Sequence, residues 1–280
     1  MRYYCPLILK NSKFTSFNIT ENIKIRKIKQ REIEEFFGLK KIDFNFSKER
    51  LPGFVGFNKF IPSKRKGRYP YGEIFKKGIF DGSSDILAAN YVLEINSKDS
   101  PAAIIKDINL SLIVFHPCST GLAYSFREKE TDVSFHGLFS GPFLSYLEIK
   151  NKKDLIRIRE IYEKILENKK NDIFQVISGL YERAISGIDV DIKMRFISLV
   201  VSLESLCLPG FNDELKFRLS LRIAKILSKY FKLEVEEQFK TVKKIYDIRS
   251  KIIHCGKSKE LNWEMFAKTL LIANRLVNSY

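Results

Sequence analysis

From about residue 150 onward, apolar positions recur every three to four residues, the period of a helix with one buried face. The pattern predicts helices over about 152–167, 171–186, 190–208, 213–231, 234–254 and 260–279. Asn171-Asp172, Asp189 and Asp213 stand where side-chain oxygens can cap helix starts; Pro209-Gly210 and Cys255-Gly256 stand where helices should stop. Short connections make consecutive helices antiparallel neighbours, hence a bundle. Before residue 150 the apolar runs are short and punctuated by turn residues. PLILKN, NIKIRKI, ANYVLEI (89–95), GLAYSF (121–126) and FLSYLEI (143–149) read as strands, and QREIEEFFG as a short helix closed by Gly38. PAAIIKDINLSLIVF (101–115) reads as a helix, because Pro101 suits a first turn and Asp107 and Asn109 interrupt a strand's alternation. The fold class that follows is α+β: a mixed α/β N-terminal domain over 1–150, then an all-α bundle over 151–280 with its core in 171–280. The helix over 151–170 alternates charge on one face and reads as a solvated joint between the halves.

Projection at 100° per residue exposes an anomaly. The helix over 190–208 builds its apolar face from Phe196, Leu199, Val200, Leu203 and Cys207, with Glu204 inside that arc. The next builds its face from Leu215, Leu219, Ile223 and Ile226, with Arg222 beside them. In the helix over 234–254 the face reads Phe239, Val242, Tyr246 and Ile253, with Arg249 between them. A buried charge without a partner is costly. The economical arrangement has Glu204 between Arg222 and Arg249, with Tyr246 nearby. One reading of such a cluster is an internal network that sets the bundle's register, although such networks add little stability over apolar replacements. His254 adds a second reading. It stands where the helix stops, so its ring can turn to a surface, and an arginine held by a carboxylate beside a histidine pairs a phosphate clamp with a proton-transfer group.

Composition and charge narrow the field. The chain has 280 residues and a net charge of +16, divided as +8 in each half. A basic globular protein suits a polyanionic partner, nucleic acid being the commonest, although a lysine-rich composition gives the same excess. The sequence has no uninterrupted apolar run of about 18 residues, so no membrane span is expected. No signal peptide is read at the N-terminus. Cys5, Cys118, Cys207 and Cys255 are scattered, without a CxxC pair, which fits a reducing, cytoplasmic setting and neither a disulfide framework nor a zinc knuckle.

YDIRSKIIHCG (246–256), preceded at this spacing by SLESL and LSLRIAKIL, resembles the Apea-like branch of the HEPN domains, helical bundles marked by an R-x4–6-H motif. The resemblance covers roughly 171–280. It rests on the conjunction of that motif with Glu204, Arg222 and the glycine after the histidine, since R-x4-H alone is common. Fainter likeness extends upstream, through PLIL and IKIRKI followed by a glutamate-rich segment. Many HEPN domains are metal-independent endoribonucleases of toxin–antitoxin, abortive-infection and CRISPR-linked defence systems. The resemblance therefore implies that Arg249 and His254 are catalytic, that Ser250 assists, that Glu204 orients Arg249, and that Arg222 and Tyr246 support them. It also implies an RNA substrate, no cofactor, and a homodimer in which two motifs face each other. Some HEPN domains keep the bundle as a catalytically silent scaffold of a defence complex or as the partner of a nucleotidyltransferase, and that alternative stays open.

Elsewhere the densest basic stretch, 59–78, interleaves Lys64, Arg65, Lys66 and Arg68 with Tyr69, Tyr71 and Phe75. It reads either as a contact for single-stranded RNA or as a solvated basic loop. His116 and His136, near Cys118 and Asp132, match no metal-ligand spacing and read as structural. The sequence has no P-loop, GxGxxG or GxSxG. The N-terminal half is expected to position RNA or to sense a phage-derived or nucleotide trigger.

Overall fold

The computed structural model describes residues 1–7, 9–10, 12–29, 32, 90–117, 124–127, 133–135, 147–186, 191–208, 210 and 213–279. The chain forms two compact units, Met1–Leu112 with Cys118–Glu160, and Ile113–Pro117 with Ile161–Tyr280.

The first unit is built on an antiparallel sheet. Its strands are β1 (Arg2–Leu7), β3 (Ser16–Thr20), β4 (Ile23–Lys27), β5 (Tyr91–Asn96), β6 (Tyr124–Arg127) and β7 (Val133–Phe135), in the order β3-β4-β5-β1-β6-β7. A separate parallel pair joins β2 (Leu9–Lys10) to β8 (Leu147–Glu148). Strand β4 shows why the sheet forms: Ile23 and Ile25 are buried while Lys24 and Arg26 turn to the other face. Its neighbour β5 is buried over Tyr91–Leu93 and at Ile95, as a strand paired on both edges should be. Arg26 bridges Glu94 and Glu32, each at 2.6 Å, and so ties β4 to β5 and to the segment beyond. Helix α1 (Ala102–Phe115) is buried almost all round from Ile105 to Val114. That is why its sequence shows little amphipathic period. The strands β3 and β7 were not expected, since SFNIT and VSF are too short and polar to show alternation. The short helix closed by Gly38 lies outside the described residues.

Helix α2 (Lys152–Asn168) leads from the first unit into the second. Five helices follow: α3 (Asp172–Ser186), α4 (Ile192–Cys207), α5 (Leu215–Phe231), α6 (Val235–Cys255) and α7 (Trp263–Ser279). Within the second unit α3 packs along α4, α5 along α6, and α7 against α4 and α5. The core is apolar: Phe196, Leu199, Val200 and Leu203 meet Leu219, Ile223, Val242, Ile245, Ile248 and Leu276, all at most 1% exposed. Caps set most boundaries. Asn171 Oδ1 accepts from the Ile173 and Phe174 amides, and Glu234 accepts from Glu236 and Glu237. The cap of α4 is Asp191; the expected Asp189 lies outside the described residues. The residue before α5 is Glu214, in a left-handed conformation, and its side chain makes no cap, so Asp213 does not take that role. No helix among the described residues is long and apolar enough to cross a membrane.

A buried arginine ties α3 to α4. Arg195, 3% exposed, donates from Nε to Ala184 O at 2.7 Å and from Nη2 to Ile185 O at 3.1 Å. Those carbonyls belong to the last turn of α3, which lacks intrahelical donors. The guanidinium also lies 5.0 Å from the Phe266 ring centroid on α7. Arg195→Ala is expected to lower stability by about 3 kcal/mol, because two buried acceptors lose their donor. Urea unfolding of the two proteins, followed by circular dichroism, checks this.

Candidate functional site

The candidate site lies where α4 and α6 face each other. Glu204, in the last turn of α4, receives one hydrogen bond from Arg249 of α6, with Nη2 and Oε2 3.4 Å apart. The pair is half-buried, its side chains 17% and 23% exposed. Among the described residues, Glu204 Oε1 and Arg249 Nε are buried without a hydrogen-bond partner. This is a loose, single contact rather than the two-pronged bond an arginine and a carboxylate can make. Burial pushes the Glu204 carboxyl above its usual range, and the charge of Arg249 pulls the other way without cancelling the effect. The guanidinium also sits 5.7 Å from the centroid of the Tyr246 ring, one turn earlier on α6.

The expected meeting of three charges is only partly realised. Arg222 Nη1 donates to Cys207 O, 2.5 Å away, at the end of α4. That carbonyl is one of the unpaired acceptors of a helix C-terminus, where a cation is favoured. Arg222 therefore braces the helix that carries Glu204 instead of sharing its carboxylate. Burial pushes the Cys207 thiol up to about 12, although the charge of Arg222 opposes it. The buried stripe of α6 also differs in phase from the expectation. It runs through Val242, Ile245, Ile248 and Ile252, whereas Phe239 and Tyr246 are half-buried and Ile253 is 47% exposed. The last turns of α6 carry isoleucine on several faces, so their periodicity alone did not fix the rotation. Arg249 consequently stands at the edge of the core, between the stripe and Tyr246.

His254 is exposed in the last turn of α6, roughly 140° around the helix from Arg249. The helix stops because Gly256 adopts φ 69° and its amide donates to Ile252 O. Ser250, next to Arg249, is half-buried. The motif in one chain thus divides into a half-buried arginine, braced from α4, and an outward-facing histidine.

The basic stretch with Lys64, Arg65, Lys66, Arg68, Tyr69 and Tyr71 lies outside the described residues, as do Cys118, Asp132 and His136. His116 follows α1 directly and is exposed. Among the described residues no group of His, Cys, Asp and Glu is placed to hold a metal ion. Sequence reasoning missed a groove beside Arg249, lined by Phe217, Phe239 and Tyr246. The available signal was Phe217, an aromatic residue off the buried face of α5.

The raised Glu204 carboxyl sets a pH dependence. Its native state holds a proton more tightly than the unfolded chain does. The resulting stabilisation is complete below the ordinary carboxylate value of about 4.3 and is lost as pH rises through the higher native value. The stability of the wild type relative to Glu204→Gln should therefore fall as pH rises from 4 to 7, as urea midpoints across that range would show. Gly256→Ala should cost about 1 kcal/mol through its left-handed conformation, and should fray the turn bearing His254, read as faster amide exchange there.

Comparison with known proteins finds no family model, no curated protein and no solved structure that matches this chain.

Proposed function

We propose that the second unit is a HEPN-type bundle and that the protein is a metal-independent endoribonuclease, working as a homodimer in anti-phage defence or a toxin system. The observation that carries this reading is the division of the motif. Arg249 stands at the core's edge, 23% exposed and held by a single long contact, while His254 faces outward from the end of the same helix.

The chemistry would proceed as follows. The RNA 2′-hydroxyl attacks the adjacent phosphorus, and its proton passes to a base. The P–O5′ bond breaks, and the departing 5′ oxygen takes a proton from an acid. The products are a 2′,3′-cyclic phosphate and a 5′-hydroxyl. Base and acid require two titrating groups, and a cation must offset the charge that builds on phosphorus. The chain has three histidines, and of these only His254 lies in the bundle helices α3 to α7. A second copy related by a two-fold axis supplies the other His254 and a second Arg249. Arg249 stabilises the phosphoryl oxygens, Ser250 assists beside it, and Glu204 is a positioning residue that holds the guanidinium. The first unit would position the RNA or respond to a trigger.

The test is RNA cleavage in EDTA by the wild type, His254→Ala and Arg249→Ala, with mass read by light scattering. A dimeric wild type should cut, and each folded variant should lose at least about 100-fold in rate. Absence of cleavage on every RNA tried, or equal cleavage by the variants, would leave Glu204–Arg249 as a register-setting pair in a silent binding module.

A further inference from the structure

The groove beside Arg249 lies between the first turns of α5 and the middle of α6, open to solvent, with a volume of about 490 Å³. Phe217 and Phe239 meet edge to face across it, their centroids 5.7 Å apart. Phe217 nevertheless remains 54% exposed, an expensive place for a phenylalanine. Lys216, Lys243 and Glu214 complete the rim. Glu214 lies 3.6 Å from Arg218, and Lys216 lies 2.5 Å from Asp247. The rim's acid is therefore neutralised, and the exposed Lys243 is left with no carboxylate partner among the described residues. Tyr246 belongs to both places: its ring lines the groove and faces the Arg249 guanidinium.

Resting on the nuclease reading above, we propose that this groove receives an unpaired base of the RNA strand, next to the phosphate held at Arg249. The base stacks against Phe217 and its neighbouring rings, and Lys243 meets the adjoining backbone phosphate. Aromatic rings beside lysine are the chemistry of single-strand binding, and stacking accepts any base. The net charge of +16 gives the same preference for a polyanion. A second copy of the chain suits the groove less well, because an apolar cover would strip water from Lys243 and from the Lys216–Asp247 pair. The groove then selects for single strands, since a base held in a duplex has no free face to offer.

The full chain carrying His254→Ala allows binding to be read without cleavage. Its partner is a fluorescein-labelled uridine oligomer of about 12 nucleotides, followed by anisotropy and compared with a duplex RNA of equal length. Adding Phe217→Ala or Lys243→Ala should weaken single-strand binding about tenfold, while Phe217→Trp should retain it. The proposal falls if the parent binds no single strand, or if folded Phe217→Ala binds as tightly as the parent. It also falls if Phe217→Ala turns a dimer into a monomer with unchanged RNA affinity, which would assign the groove to a second copy. If Phe217→Ala fails to fold, exposed Lys243→Ala decides the matter. Binding and cleavage fail separately. RNA binding that depends on Phe217 in a protein that never cuts would keep the groove and end the nuclease reading; cutting with affinity indifferent to Phe217 and Lys243 would do the reverse.

Discussion

The second unit turns on one constraint: α6 must bury a stripe of isoleucine and valine while carrying an arginine at the stripe's edge. Val242, Ile245, Ile248 and Ile252 supply the burial that holds α6 against α4 and α5. Arg249 follows Ile248 directly, so the rotation that buries the stripe also brings the guanidinium to Glu204. The carboxylate is drawn out of water by the same packing, which is why its proton affinity rises despite the cation beside it. Apolar packing thus sets the geometry of the pair, and the pair's attraction only partly offsets the cost of placing it there.

Three arginines of this bundle solve the problem of burial differently. Arg195 and Arg222 are spent on the carbonyls that end α3 and α4. Those acceptors are fixed by the helix backbone, so these arginines are structural braces. Arg249 instead makes a single long contact to a side chain and keeps a buried donor without a partner among the described residues. The first two arginines complete the fold. The third is held more loosely, and Tyr246, which faces it, also lines the aromatic groove between α5 and α6.

The helices were legible because their apolar period is regular and because Asn171 and Gly256 mark ends over one turn of chain, whereas the cap at Glu234 was not read. The helix over 101–115 could be read from Pro101, Asp107 and Asn109 even though it is buried almost all round. The strands were less legible. IKIRK alternates and was found, whereas SFNIT is ordered by its pairing with β4 and carries little pattern of its own. Within the site, Glu204 and Arg249 could be singled out as charges misplaced on apolar faces, and His254 by its place at the end of the helix. Their partners could not: Arg222 was expected at the carboxylate and is found at a backbone carbonyl, an acceptor no side-chain pattern reveals.

What the sequence determined by itself is local: where helices begin and end, which residues carry charge, and that Glu204 and Arg249 needed company. Periodicity and capping act within a few residues, so the chain displays them directly. The tertiary structure decided the rotation of α6, the role of Arg222, the burial of Arg195 and the groove between Phe217 and Phe239. Each depends on which face meets which neighbour, and apolar burial settles that across the whole bundle at once.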